Sequence, residues 1–123
     1  MLNLNSVMIF SENPAALSEF YKKIFAKNPD MEEGGFYGYQ VGAAFMGVGP
    51  HDRVKGSNPA PERILLNFQT AEVKAEFERI KGMGARVVAE PYQMGEGKDF
   101  WIATFADPDG NYFQLMSPWK DGK

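Results

Sequence analysis

The side chains able to do chemistry in this sequence are few and scattered. There is one histidine, His51, and no cysteine, which removes thiolate ligands, disulfides and cysteine nucleophiles. Imidazole is the usual acid–base group near neutral pH. His51, however, stands beside Asp52 in a run of turn formers, PHDRVKGSNPAP at 50–61. An exposed linker gives a base neither a site nor an orienting partner, so His51 reads as a surface residue unless the linker folds over a binding face. Glu33, Glu90, Glu96 and Asp99 are single carboxylates on loops or strand ends, without the spaced pair that general acid–base catalysis uses. No serine lies in a nucleophile elbow. Gly82-Met83-Gly84-Ala85 follows a helical pattern, whereas a dinucleotide fingerprint opens one. Gly95-Glu96-Gly97-Lys98 lacks the leading glycine and the hydroxyl residue of a phosphate loop. Two anchoring groups remain. The Arg63 guanidinium can clamp a carboxylate or phosphate, or pair with Glu62. Trp101 can stack on a planar ligand or pack at an interface.

The elements that must position these groups follow from periodicity. Residues 3–10 alternate, with Leu4, Ser6, Met8 and Phe10 on one face and Asn5, Val7 and Ile9 on the other. Asn13-Pro14 starts a helix that carries Leu17, Phe20, Tyr21 and Ile24 and stops before Pro29. Strands follow over 34–41 and 43–48, with Gly42 in the turn. After the linker, Arg63 to Gln69 alternates, and Thr70 caps a helix with Val73, Phe77 and Ile80 that ends at Gly82 and Gly84. Val87-Val88 begins a strand and 91–99 forms a loop. Strands over 100–105 and 112–116 are joined by Asp107-Pro108-Asp109-Gly110-Asn111, a turn former at every position. The order is βαββ, a linker, then βαβββ or βαββ with an irregular edge. Ser18-Glu19-Phe20 matches Ala75-Glu76-Phe77 as a weak repeat. Two such copies predict a single domain over 1–123, with modules of about 1–49 and 62–119 joined by the linker 50–61. Side by side they would make a larger sheet, helices on one side and a concave apolar face on the other, the default place for a ligand or second subunit.

The strand–helix opening with Asn13-Pro14 and Phe20-Tyr21, and the stretch from Phe105 through DPDGN to Leu115, resemble the vicinal oxygen chelate superfamily, the glyoxalase / bleomycin-resistance / extradiol-dioxygenase group. The resemblance covers nearly the whole chain. It implies an α+β fold of paired βαβββ modules whose curved sheets enclose a cavity, often in a homodimer. In metal-dependent members it also implies four ligands, on the first and last strands of each module, holding a Lewis-acidic metal. Those positions fall on Ser6, Met46, Arg63 and Gln114. Arginine has no lone pair to give, thioether suits soft metals, and a hydroxyl or neutral amide is a weak ligand unaided. No metal or other cofactor is therefore expected.

Alternation adds Leu65, Tyr112 and Met116, with Met8, Phe10 and Trp101 or Phe100, to the walls of the cavity. The expected ligand-binding set is thus Ser6, Met46, Arg63, Leu65, Trp101, Tyr112, Gln114 and Met116, with the seven methionines lending adaptability. The expected function is binding of a small, partly apolar or aromatic molecule without metal. The alternative is a divalent-metal-dependent lyase, isomerase or dioxygenase of the glyoxalase type. Sixteen acidic against thirteen basic residues, the latter scattered, leave no phosphate-binding surface, so no nucleic-acid partner is expected. With no apolar run long enough to span a membrane and no signal-peptide pattern, the reading is a cytoplasmic protein without membrane association.

Overall fold

The computed structural model describes residues 1–95 and 99–119; Glu96 and the Gly97-Lys98 end of its glycine pattern lie outside them. The first module runs β1 (Ser6–Ser11), α1 (Pro14–Phe25), β2 (Met31–Glu33), β3 (Phe36–Val41) and β4 (Ala44–Pro50). The second repeats the order with β5 (Leu66–Gln69), α2 (Val73–Gly82), β6 (Arg86–Gln93), β7 (Trp101–Ala106) and β8 (Tyr112–Met116). Both modules are therefore βαβββ, and the α+β expectation holds. The three-residue β2 was not legible as a strand, and β6 runs on through Pro91 to Gln93 where a loop was expected. Strand orders are β1-β4-β3-β2 and β5-β8-β7-β6. In each, the first strand runs parallel to the last, and the rest are antiparallel. Among the described residues pairing stays inside each module, giving two open four-stranded sheets instead of one larger sheet. The chain divides into two compact units, Met1–Ser57 and Asn58–Lys123. No helix of the described residues is long and apolar enough to cross a membrane.

Both helices begin with the same device. The Ser11 hydroxyl accepts the Asn13 N–H at 2.9 Å, and the Thr70 hydroxyl accepts the Glu72 N–H at 3.0 Å. Asn13 and Glu72 are the N-caps. Thr70 thus turns the chain two residues ahead of the cap it was expected to be. Short hydroxyl side chains compete for backbone groups in this way at helix entrances. Asn13 also accepts the Ala16 N–H, with Pro14 at the first helical position. The first helix ends on Ala26 in the left-handed region, φ 56°. The caps stand 59 residues apart, whereas the SEF/AEF match assumed 57. In the frame of the caps Ser6 corresponds to Leu65, and Met8 to Asn67.

Each sheet buries one face under its helix. In the first module Leu17, Tyr21 and Ile24 of α1 meet Tyr39, Met46 and Val48. Tyr39, fully buried, donates its hydroxyl to the Ser18 carbonyl at 3.0 Å and accepts from the Ser18 hydroxyl at 2.7 Å, so the buried phenol is satisfied. Burial raises the Tyr39 phenol above its ordinary value of 10.0 and keeps it neutral. The second core is hydrocarbon: Phe77 against Phe105 at 5.1 Å, Phe105 stacked on Phe113 at 5.7 Å, and Phe68 against Phe113. The DPDGN turn is structural, as its composition implied. The Asp107 carboxylate accepts the N–H groups of Asp109 and Asn111, both at 2.9 Å, and Gly110 takes φ 81°.

The stretch read as an exposed linker is tied down. Gly56 N–H donates to the Glu12 carboxylate at 2.9 Å. Asn58 donates its backbone N–H to the Asp109 carbonyl at 2.8 Å and its amide to Asn111 Oδ1 at 3.0 Å.

Candidate functional site

Alternation gives each sheet a second face, away from its helix. In the first module this helix-free face carries Ser6, Met8 and Phe10 of β1, Phe45, Gly47 and Gly49 of β4, and Phe36 and Gly38 of β3. Three of these are glycines for a steric reason. A Cβ on Gly38 would run into the Phe45 ring, one on Gly47 into the Met8 thioether, and one on Gly49 into the Phe36 ring. Large side chains therefore lie flat across a glycine floor, and their apolar surface compensates for the missing glycine side chains. The result is an aromatic and thioether surface over β1 and β4, edged by the Gln40 amide, in register with Phe45, and by the exposed Glu33 carboxylate, in register with Phe36.

The helix-free face of the second sheet differs. Its central row is Tyr112, Gln114 and Met116 of β8, all half-buried. Beside it lie Asn67 and Gln69 of β5, in register with Gln114 and Met116. On the other side Thr104 of β7 is in register with Gln114 and Ile102 with Met116. Gln114 Nε2 donates to the Thr104 hydroxyl at 3.2 Å, which leaves Gln114 Oε1 as an acceptor. This face thus sets three neutral amides and the Thr104 hydroxyl among Tyr112, Met116 and Ile102, a pattern suited to orienting a polar group on an apolar ligand.

The structure sorts the expected site residues. Tyr112, Gln114 and Met116 share one row. Ser6 lies on the helix-free face of the other module, and Leu65 just before β5, exposed. Three fall elsewhere. Met46 pairs with Tyr39 and faces α1, 3% exposed, because β4 carries Ala44, Met46 and Val48 on its helix side. Trp101 alternates with Ala103 and Phe105, which turns it toward α2, where the Lys74 ammonium sits 3.7 Å from its ring centroid. Arg63 precedes β5 in a turn, its N–H donating to the Ala60 carbonyl at 3.1 Å, and its side chain is exposed. The two-residue error in the repeat frame explains this placement: the strand begins later than the 57-residue offset implied. Phe100, the other choice beside Trp101, packs on Trp119 at 5.0 Å. Sequence reasoning passed over Thr104, Phe36 and Phe45. The signal for Phe45 was present, since it shares parity with Gly47 and Gly49.

The donor set does not suit a divalent metal. Gln114, at the last-strand position, has Asn67 and Thr104 beside it. By cap frame and register, the matching places in the first module are Met8 and Gly47. None supplies a carboxylate, imidazole or thiolate. Among the described residues no group of three or more His, Cys, Asp or Glu is placed to hold a metal ion.

Twin βαβββ modules, each with one sheet face under a helix and one free of it, define a class of small α+β proteins. A family profile described as a glyoxalase-like domain matches residues 6–116. The chain belongs to that family, and with it to the vicinal oxygen chelate superfamily. Solved structures agree on the fold. A glyoxalase/bleomycin resistance protein/dioxygenase family enzyme from Burkholderia phytofirmans PsJN is 23% identical, with a TM-score of 0.74 over 94% of this chain and 98% of its own. A glyoxalase-related enzyme from Fulvimarina pelagi is 17% identical, with a TM-score of 0.77 over 100% and 96%. A lactoylglutathione lyase from Agrobacterium tumefaciens is 16% identical, with a TM-score of 0.73 over 94% and 92%. No curated protein matches the chain.

Proposed function

We propose that this glyoxalase-like protein binds a small, partly apolar or aromatic molecule against the helix-free faces of its sheets, working as a homodimer and without a resident divalent metal. The observation that carries the reading is the neutral row Asn67–Gln114–Thr104. It includes Gln114, the last-strand position at which the superfamily resemblance implies a metal ligand, and it leads through amide and hydroxyl groups into apolar surface. Neutral amides bind carbonyl, hydroxyl or amide groups well and a hard dication poorly. Affinity would then come from apolar burial, with the amides setting orientation.

Metal analysis of untagged protein, with melting curves in added Zn, Ni, Mn and Fe(II), tests this. The expected result is no stoichiometric metal and no shift in Tm. A metal at one per chain, with the roughly 2.7 kcal/mol that a ligand at a hundred times its Kd adds, would overturn the reading in favour of a metal-dependent lyase, isomerase or dioxygenase. Sedimentation at micromolar concentration checks the dimer.

A further inference from the structure

The row of β4 does not end with the strand. Phe45, Gly47 and Gly49 share one parity, and His51, the next position of that parity, follows immediately after β4. Its ring meets Phe10, itself on the helix-free face, edge-on at 5.3 Å and 72°. The sole histidine therefore continues the apolar face of the first sheet. Local bonds fix its chemistry. The Arg53 N–H donates to His51 Nδ1 at 3.1 Å, and the His51 carbonyl accepts the Val54 N–H. An Nδ1 that accepts leaves the proton of the neutral ring on Nε2. Nε2 has no partner among the described residues. The Asp52 carboxylate, 3.4 Å from Nδ1, lies on the nitrogen already engaged.

We propose that His51 is the polar anchor of the first sheet's helix-free face, its Nε2–H donating to an acceptor oxygen, such as a carboxylate, of a flat aromatic ligand lying over Phe10 and the Phe36 ring that covers Gly49. This rests on the binding reading above and narrows it to a ligand class, an aromatic ring carrying an acceptor oxygen. Over β1 and β4 the face offers hydrocarbon, sulfur and glycine; at its β3 side the Gln40 amide is spent on the Gly42 and Ala44 carbonyls, and at its β2 edge Glu33 is an acceptor. Among the described residues, His51 offers the fixed donor at this end of the face, since Ser6 lies at the far end of β1 and the Gln40 amide is engaged. A bound ring would use the apolar floor, and its oxygen would meet the imidazole.

Two probes separate the terms: indole-3-carboxylate, and indole, which has the ring without the oxygen. Both are titrated into the full chain and followed by backbone amide shifts over residues 36–49 and by the ring nitrogen signals of His51, unambiguous because it is the only histidine. The carboxylate probe should move the Nε2 signal. His51→Phe, which keeps a ring against Phe10, should weaken it about tenfold while leaving indole unchanged. His51→Gln, which restores a donor, should recover part of the loss. Equal binding of both probes to His51→Phe, in a variant whose other amide signals match the parent, would overturn the anchor and leave the binding reading standing. If neither probe moved any amide on a helix-free face of either module, the binding reading would fall and the anchor with it.

Discussion

The two modules share one topology, one helix-entry device and one parallel first-to-last strand pairing, yet they are built from different chemistry. The first has a core with a buried hydrogen-bonded phenol and a helix-free face of glycines under aromatic rings. The second has an aromatic hydrocarbon core and a helix-free face with an amide row. The difference teaches that the βαβββ topology needs only the alternation of apolar positions and the helix entrances. Both can be met by many residue sets, so each helix-free face is free to acquire its own chemistry.

Phe105→Ala should give the largest effect. The ring is fully buried between Phe77 and Phe113, and its loss should cost about 3–5 kcal/mol, read as a fall in the urea midpoint. Tyr39→Phe in the first module should cost less, about 1–3 kcal/mol, by removing the buried partner of the Ser18 hydroxyl. If the order reversed, the first core would depend on its polar pair more than the second depends on its rings.

Substitutions in the glycine floor sharpen the contrast further. Gly49→Ala would meet the base of the Phe36 ring, its Cγ 3.1 Å away, so the whole ring must turn, at about 1–3 kcal/mol. Gly47→Ala meets the far end of the flexible Met8 side chain and should cost under ~1 kcal/mol. Thermal melts of the pair check this, and equal costs would mean that Met8 is held as tightly as the ring.

Most of the fold was legible because it is local. Caps, Pro14, the helical spacing of Leu17, Tyr21 and Ile24, and the DPDGN turn act over a few residues. β2 escaped because Met31–Glu33 has no alternation to read; its pairing with β3 is decided across a hairpin. The site was half legible. Parity gave the row Tyr112, Gln114 and Met116, but assigning a residue to a face needs the strand's register, which depends on its partners. Met46 was placed by an alignment that parity contradicts: Tyr39, opposite it, is held by Ser18 of α1. Arg63 was misplaced because a three-residue repeat set a frame that the caps do not share. His51 is exposed, as its place in a turn-rich stretch implies, but its contact with Phe10 was not legible, since turn composition says nothing about what a loop folds against.

The smallest effect concerns how each module holds its outer hairpin. In the second, an eight-residue β6 with two register shifts pairs along β7. In the first, the short β2 is helped by Asp30 just before it. Its carboxylate accepts the Gln40 N–H at 2.7 Å and pairs with the Lys27 ammonium at 2.7 Å, while the Asp30 N–H donates to the Gly38 carbonyl at 2.8 Å. The Gln40 hydrogen bond first, then Lys27, hold the Asp30 carboxyl below its ordinary value of 3.8. A carboxyl lowered in the folded state stabilises fully above its unfolded value, and the contribution is lost as pH falls through the folded one. Asp30→Asn keeps an acceptor for Gln40 but removes the charge. The midpoint of the parent should therefore exceed that of the variant at pH 7, by a margin that shrinks below about pH 4 and also with added salt, because the Lys27 pair is exposed. A margin independent of pH would assign the hairpin's stability to hydrogen-bond geometry alone and remove the electrostatic contrast between the two modules.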